Sequence, residues 1–289
     1  MKIKYTFIIG LFAMVFLSCE KDIDITLPES EKKIVVEGAI EQGVPPYVIL
    51  TKTVGFFSPT DLESYKNSFI KGALITVSDG TTTVQLDEFT IDGFTVYTTA
   101  NTSIFGQVGK TYDLRIEAEG KVLTSTTTIP QPQQMNYYYY KDQPGFSNYG
   151  YLWFNQTDPP GYGNAYRIFT QRKGKDQRFI PADGSVWDDN FFDGLTFDAF
   201  IFRGHEPNST AEDDNNETSE YFLQGDTVYI KFCTIDQPHF EFWKTFETAA
   251  FNEGNPFAAP TTIRTNIEGG GLGVWGGYGV TYDTLILAD

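Results

Sequence analysis

The sequence predicts a mainly β protein: an N-terminal immunoglobulin-like β-sandwich followed by a second β-rich domain with one helix. Three observations predict it. Short runs alternate apolar and polar residues, as strands with one buried face do. Turn dipeptides separate them, among them Asp79-Gly80, Asp92-Gly93 and Glu119-Gly120. Helical periodicity is confined to one late segment.

Taken in order, residues 1–18 carry the pattern of a lipoprotein signal peptide. Lys2 and Lys4 precede the apolar run "YTFIIGLFAMVFL", which falls short of the roughly 20 residues a spanning helix needs. The run ends in Leu17-Ser18-Cys19, which resembles a bacterial lipobox, so Cys19 is expected to carry a covalent lipid and to open the mature chain. Residues 19–32 are polar and proline-interrupted and predict a lipidated tether. Seven strand runs over 33–130 predict the sandwich: "KIVVEGAI", "YVILTKTV", "ALITVSD", "TTTVQLDEF", "FTVYTTA", "YDLRIEAE" and "KVLTSTTTI". The tyrosine of "GKTYDLRIEA" suits that fold, and "FFSPTDLESYKNSF" predicts a short helical turn. The prolines of "TIPQPQQ" mark a boundary, and 131–289 predict the second domain. Its strands are expected in "MNYYYYKD", "YGYLWFNQT", "AYRIFTQRK", "LTFDAFIFRG", "TVYIKFCTI" and "GVTYDTLIL". Residues 238–254 predict a helix opened by Pro238 and ended by Gly254, with Phe240, Trp243, Ala250 and Phe251 near one face. The acidic stretch 205–220 predicts an exposed loop, and the glycine-rich segment after residue 268 an irregular backbone path.

Charge narrows the function classes. The chain carries a formal charge of −17; without the two lysines of the signal it is −19. Such a chain repels polyanions, so nucleic acid is not an expected partner. With Cys19 lipidated, Cys233 stands alone in a strand and is expected to be a buried apolar residue. The enzyme signatures are missing. There is no G-x-S-x-G elbow, no H-E-x-x-H helix and no P-loop, and the two histidines, His205 and His239, supply a metal site or base poorly. "GLGVWG" fits G-x-G-x-x-G but runs into a strand rather than a helix, so it lacks the anion site of a dinucleotide fold. No enzymatic activity and no cofactor beyond the lipid are expected.

Binding candidates remain. Tyr138 and Tyr140 share one face of a strand, and Trp187, Trp275 and Tyr278 complete a set of ligand or partner contacts, with core packing as the competing reading. Asp183, Asp188, Asp189 and Asp193 are weak calcium candidates without EF-hand spacing. Asp188 with Asp193 is the pair a carboxylate hydrolase would use, the least favoured reading.

Several stretches together resemble a domain-of-unknown-function family of outer-membrane lipoproteins in Bacteroidota-type bacteria. They are "CEKDIDI" with "LPE", "KIVVEGAIEQGVPPYVILTKT", "NAYRI" and the closing "TNIEGGGLGVWGGY". The resemblance implies an accessory lipoprotein working beside a TonB-dependent β-barrel transporter, anchored in the outer membrane and facing the cell exterior. The "EKDID" after Cys19 is similar to the export signal of such lipoproteins. Asp226-Thr227-Val228 and Asp283-Thr284-Leu285 resemble O-glycosylation sites of that group, although both threonines also suit strand starts. The family offers no catalytic residues to carry over. The expectation is a non-enzymatic binding or accessory subunit, with a stand-alone glycan- or peptide-binding lipoprotein as the alternative.

Overall fold

The computed structural model describes residues 31–288 apart from 56–58, 60, 207–208, 215, 253–254, 256 and 260. The signal peptide, Cys19, the tether up to residue 30 and Gly254 therefore lie outside the described residues. Lys32–Asp289 forms one compact unit. The chain is mainly β. Its first half contains β1 (Ile34–Glu41), β2 (Tyr47–Lys52), β3 (Leu74–Ser78), β4 (Thr83–Gln85), β5 (Asp87–Ile91), β6 (Phe94–Thr98), β7 (Thr111–Ala118) and β8 (Lys121–Thr128), with α1 (Leu62–Ser68) between β2 and β3. The second half contains β9 (Tyr137–Asp142), β10 (Tyr149–Thr157), β11 (Ala165–Arg172), β12 (Ile180–Asp188), β13 (Thr196–Ile201), β14 (Phe222–Leu223), β15 (Thr227–Ile235), α2 (Gln237–Phe251) and β16 (Leu272–Ile286). Among the described residues no helix is long and apolar enough to cross a membrane.

An eight-stranded sheet in the order β12-β11-β15-β16-β1-β2-β6-β5 runs through both halves. The join is β16 lying parallel to β1, with Val35 opposite Leu272 and Glu41 opposite Tyr278. The prolines at 130 and 132 thus separate two stretches of sequence that share one sheet, where separate domains were expected. Two four-stranded sheets cover one face of it. In one, β4-β3-β7-β8 packs over β1 and β2, and Val36, Leu50, Ile75, Leu114 and Trp275 meet in a common core. In the other, β10 lies between β9 and β13, with β14 continuing the β13 edge. Its Leu152 and Phe154 meet Tyr166, Ile168 and Phe232 of the large sheet. The opposite face of the large sheet is covered around Cys233, Tyr278 and Val280 by Phe240 of α2.

Local chemistry explains most of these elements. The run "TTTVQLDEF" is not one strand. It breaks at Leu86, whose side chain is 2% exposed, and passes from one layer to the other as β4 and β5. Strands that change sheets at such bends make the corners of sandwiches. The Tyr112 hydroxyl donates to the Phe105 carbonyl at 2.9 Å and accepts from the Gln107 amide at 2.8 Å, fastening the turn that leads into β7. Asp61 caps α1 by accepting from the Ser64 amide at 2.8 Å. Asp236 caps α2 through the His239 amide at 3.0 Å and also accepts from Thr127 Oγ1 at 2.5 Å, so the helix start is tied to β8. The buried residues of α2 are His239, Phe240 and Phe242, and Phe251 is 91% exposed. The single face expected to hold Phe240, Trp243, Ala250 and Phe251 is corrected accordingly: Phe240 packs on the sheet and Trp243 and Glu247 reach Arg167 and Ser185, while Ala250 and Phe251 are exposed. The acidic 205–220 stretch is not free throughout. Asp214 has its carboxylate 2.6 Å from Arg203 and accepts from Ser209 Oγ at 2.6 Å.

The glycine-rich segment departs most from expectation. It is the fifteen-residue strand β16. Its glycines thin the strand on both faces. A Cβ on Gly276 would lie 2.2 Å from the His239 ring of α2, and one on Gly277 would lie 2.7 Å from the Thr128 carbonyl. Helix and linker therefore rest directly on the backbone of one strand. Gly276→Ala is expected to cost about 1–3 kcal/mol through overpacking. Urea denaturation of the variant beside the parent checks it; equal midpoints would mean that α2 is not seated on β16 in this way.

Candidate functional site

The candidate site grows out of an irregularity in the edge strand β12. Phe169 of β11 faces Pro181, and Arg167 faces Val186, so residues 182–185 of β12 stand opposite Ile168 alone. Proline at an edge strand gives up no ladder bond that a neighbour needs, and a bulge bends its strand away from the partner. Here the excursion crosses to the far sheet, where the Asp183 amide donates to the Phe202 carbonyl at 3.3 Å. The parted strands leave an open cleft of about 900 Å³. Trp243, Phe246 and Glu247 of α2 and Phe197 and Ala199 of β13 line it. Arg167 and Ile168 lie at its base, and Asp183, His205 and Glu220 at its polar end.

Arg167 is 4% exposed. Its guanidinium carbon lies 3.4 Å from the centre of the Trp243 ring, Nη1 donates to the Tyr278 hydroxyl at 2.8 Å, and Nε donates to Ser185 Oγ at 3.1 Å. Ser185 donates in turn to Glu247. A buried guanidinium is thus held by a ring face and two hydroxyls, and Glu247 is reached through one of them. Burial holds the Glu247 carboxyl above its ordinary range, against the Ser185 bond and the Arg167 charge, which lower it. Lost hydration also raises Asp183, although His205 Nδ1 lies 3.7 Å from it.

Of the contacts expected from sequence, Trp187 lines the cleft. Its ring stacks on Phe232 at 5.8 Å and its Nε1 donates to Gln156 Oε1 at 3.2 Å. Tyr138 is half-buried against the second core. Tyr140, Trp275 and Tyr278 are interior residues, each no more than 6% exposed, and this corrects their assignment as contacts. The physical reason is the shared sheet: a second layer covers each face on which they lie. The acidic candidates separate as well. Asp189 and Asp193 lie with Asp158, a residue not singled out from sequence, with carboxylate oxygens within 4.8 Å of one another. Protein donors already occupy them. Asp189 accepts from the Gly163 and Asn164 amides at 2.8 Å, Asp193 from the Gly161 amide at 2.6 Å, and Asp158 from the Tyr166 hydroxyl at 2.5 Å. A cation there would share those oxygens. Asp183 stands apart at the cleft, and Asp188 accepts from Asn190 at 2.6 Å. Neither Asp188 nor Asp193, the hydrolase pair, lines the cleft.

Cys233 is a free, fully buried thiol, and burial pushes it up to about 12. The outer face of the β9-β10-β13 sheet carries a row of rings. Tyr139 stacks on Trp153 at 6.0 Å, Trp153 meets Phe200 at 5.0 Å, and Phe200 meets Tyr151 at 4.6 Å. Lys141 Nζ sits 4.4 Å from the Trp153 ring centre and covers part of that face.

Fold and site together define a mainly β protein of several packed sheets, with an aromatic, acid-lined cleft where an edge strand bulges. The chain belongs to the family described as a domain of unknown function (DUF4249), whose model matches residues 20–284. No curated protein matches the chain in sequence.

Proposed function

We propose that this chain is a lipid-anchored binding protein of the bacterial outer membrane, facing the cell exterior. In this reading it serves without catalysis as an accessory subunit of a TonB-dependent transporter or envelope complex. The single observation that carries the binding half is the open cleft of about 900 Å³, of the size and largely apolar lining that ligand sites have. Ser185, buried behind the cleft lining, has its hydroxyl held between Arg167 and Glu247. The anchor half rests on Leu17-Ser18-Cys19 after an apolar run and on the "EKDID" that follows. The first half of the chain supplies the frame. The strand orders β1-β2-β6-β5 and β4-β3-β7-β8, with the Tyr112 hydrogen bond to Phe105, support reading that frame as an immunoglobulin-type sandwich.

Protease shaving of intact cells, followed by affinity capture from mildly solubilised membranes, tests the reading. The expected outcome is release of chain peptides from whole cells and co-recovery of a large β-barrel transporter. Protection in intact cells, or recovery of the chain alone, overturns it. The row of rings from Tyr139 to Tyr151 favours a second reading, a stand-alone binder of glycans or peptides, and recovery of a surface-exposed chain without a barrel would support that one.

A further inference from the structure

The charges around the cleft are unequal. Its lining holds three carboxylates, from Asp183, Glu220 and Glu247, and one guanidinium, from Arg167. Arg167 is buried under the Trp243 ring and donates to Tyr278 and Ser185, and its single positive charge is outnumbered by the three carboxylates. What a ligand meets is therefore negative. The Asp183 side chain is 57% exposed, with the His205 ring as its nearby base, and Glu220 is exposed at the mouth.

The acids also oppose one another. Lost hydration is the main reason the Asp183 carboxyl stands above its ordinary range, and the Glu220 charge adds to it. Burial raises Glu247 first, and the Asp183 charge adds to that. A cation arriving among them relieves this repulsion, whereas an anion increases it. Rings with free surface also line the cleft: Phe246 is 42% exposed and Phe251 is 91% exposed. Ring faces beside carboxylates are the surroundings in which ammonium and guanidinium groups are held. The molecule already shows the pattern once, in Arg167 lying on Trp243 and linked through Ser185 to Glu247. A formal charge of −17 draws cations toward the whole surface.

We propose that the cleft takes an organic cation, an amine or guanidinium carried on an apolar body, with Asp183, Glu220 and Glu247 receiving its charge and the surrounding rings packing on its body. This rests on the binding reading above and names the ligand class for that site. Two sources share this chemistry, a small amine and the side chain of a basic peptide.

Calorimetric titration of the full chain with matched probes tests it. The probes are phenethylammonium, neutral 2-phenylethanol, anionic 3-phenylpropionate and a capped Phe-Lys-Phe tripeptide. Phenethylammonium is expected to bind at least about tenfold more tightly than 2-phenylethanol. In the Asp183→Asn/Glu220→Gln variant, which changes two exposed positions, the preference is expected to fall to about threefold or less. Tighter binding of the tripeptide than of phenethylammonium assigns the cation to a peptide, and the reverse assigns it to a small amine; both support the proposal. Equal binding of 2-phenylethanol, or tighter binding of 3-phenylpropionate, overturns the cation assignment while leaving the cleft a binding site. Failure of all four probes to bind a folded chain overturns the binding reading as well.

Discussion

Trp275→Ala is expected to destabilise the chain by about 3–5 kcal/mol, the usual cost of emptying the place of a buried tryptophan or phenylalanine. Trp275 has no exposed surface, and its ring lies in the core between the large sheet and the β3-β7 layer. Its Nε1 donates to the Tyr112 carbonyl at 3.0 Å, so truncation also strands a buried acceptor. The side chain of Asn266 fixes its backbone, accepting from the Trp275 amide at 3.0 Å and donating to the Trp275 carbonyl at 2.7 Å. The residue sits in the last strand, yet its ring fills a core that, apart from Ile267, is built from residues 34–129. The loss should therefore appear as one cooperative transition at lower denaturant, since the strand that carries Trp275 belongs to the sheet shared by both halves. Domains are commonly stable by about 5–15 kcal/mol, so the variant would stand close to unfolding. Guanidinium denaturation followed by circular dichroism gives the number. Trp275→Phe, which keeps an aromatic ring and loses the indole bond, should cost clearly less. A loss below about 1 kcal/mol for the alanine variant would mean that the C-terminal strand does not complete the first sandwich.

How much of this was legible depended on how far each signal reaches along the chain. The strands β1, β2, β7, β8, β10, β11 and β15 follow from their alternation, and α2 from its proline start, because those patterns are local. The pairing of β1 with β16 is not local: Trp275 lies 237 positions after its partner Gly38. Nothing in "KIVVEGAI" specifies a partner so distant, and a proline-rich linker at 128–134 suggests separate domains whether or not a sheet later closes over it. The glycines of β16 suggested an irregular path for the same reason. Their purpose lies in what rests on them, the His239 ring on one face and the 128–129 backbone on the other. The cleft was hidden because β12 looks like a loop. Pro181, Asp183 and Gly184 break its pattern, and those same residues make the bulge that opens the site. One local signal was present and unused: Arg167 sits in "AYRIF", a charge inside a strand whose neighbours are all apolar. A charge in such a run has to find partners on another element, and here it found Trp243, Ser185 and Tyr278.

His239 is expected to make the fold acid-sensitive below about pH 6.5. The ring is 1% exposed, and it packs edge-on against Tyr278 with centres 4.6 Å apart. Burial is the main cause that lowers its proton affinity, and the neighbouring Arg167 charge lowers it further, to a pKa of about 3. Its Nδ1 is buried without a hydrogen-bond partner, so protonation there would leave a donor with no acceptor beside a positive charge. The sign follows from which state takes the proton first. In the unfolded chain the imidazole titrates near 6.5, whereas in the fold it stays neutral down to about 3. Above pH 6.5 both states are neutral and nothing is lost. Between 6.5 and about 3 the unfolded chain gains a proton that the folded chain refuses, and stability falls by about 1.4 kcal/mol for each pH unit. Asp236 and Glu247 act in the opposite sense, because burial raises their carboxyls and the fold takes up their protons first. The comparison that isolates His239 is therefore a difference between variants. His239→Asn loses packing at every pH, but its stability should fall less steeply than the parent's across that window. The chain has only two histidines, so nitrogen chemical shifts of labelled histidine can be followed one ring at a time. At pH 5 the His239 ring should still give the shifts of a neutral imidazole. An imidazolium signal at that pH, or identical pH slopes in parent and variant, would mean that water or an anion reaches the ring and that α2 does not seal it against β16.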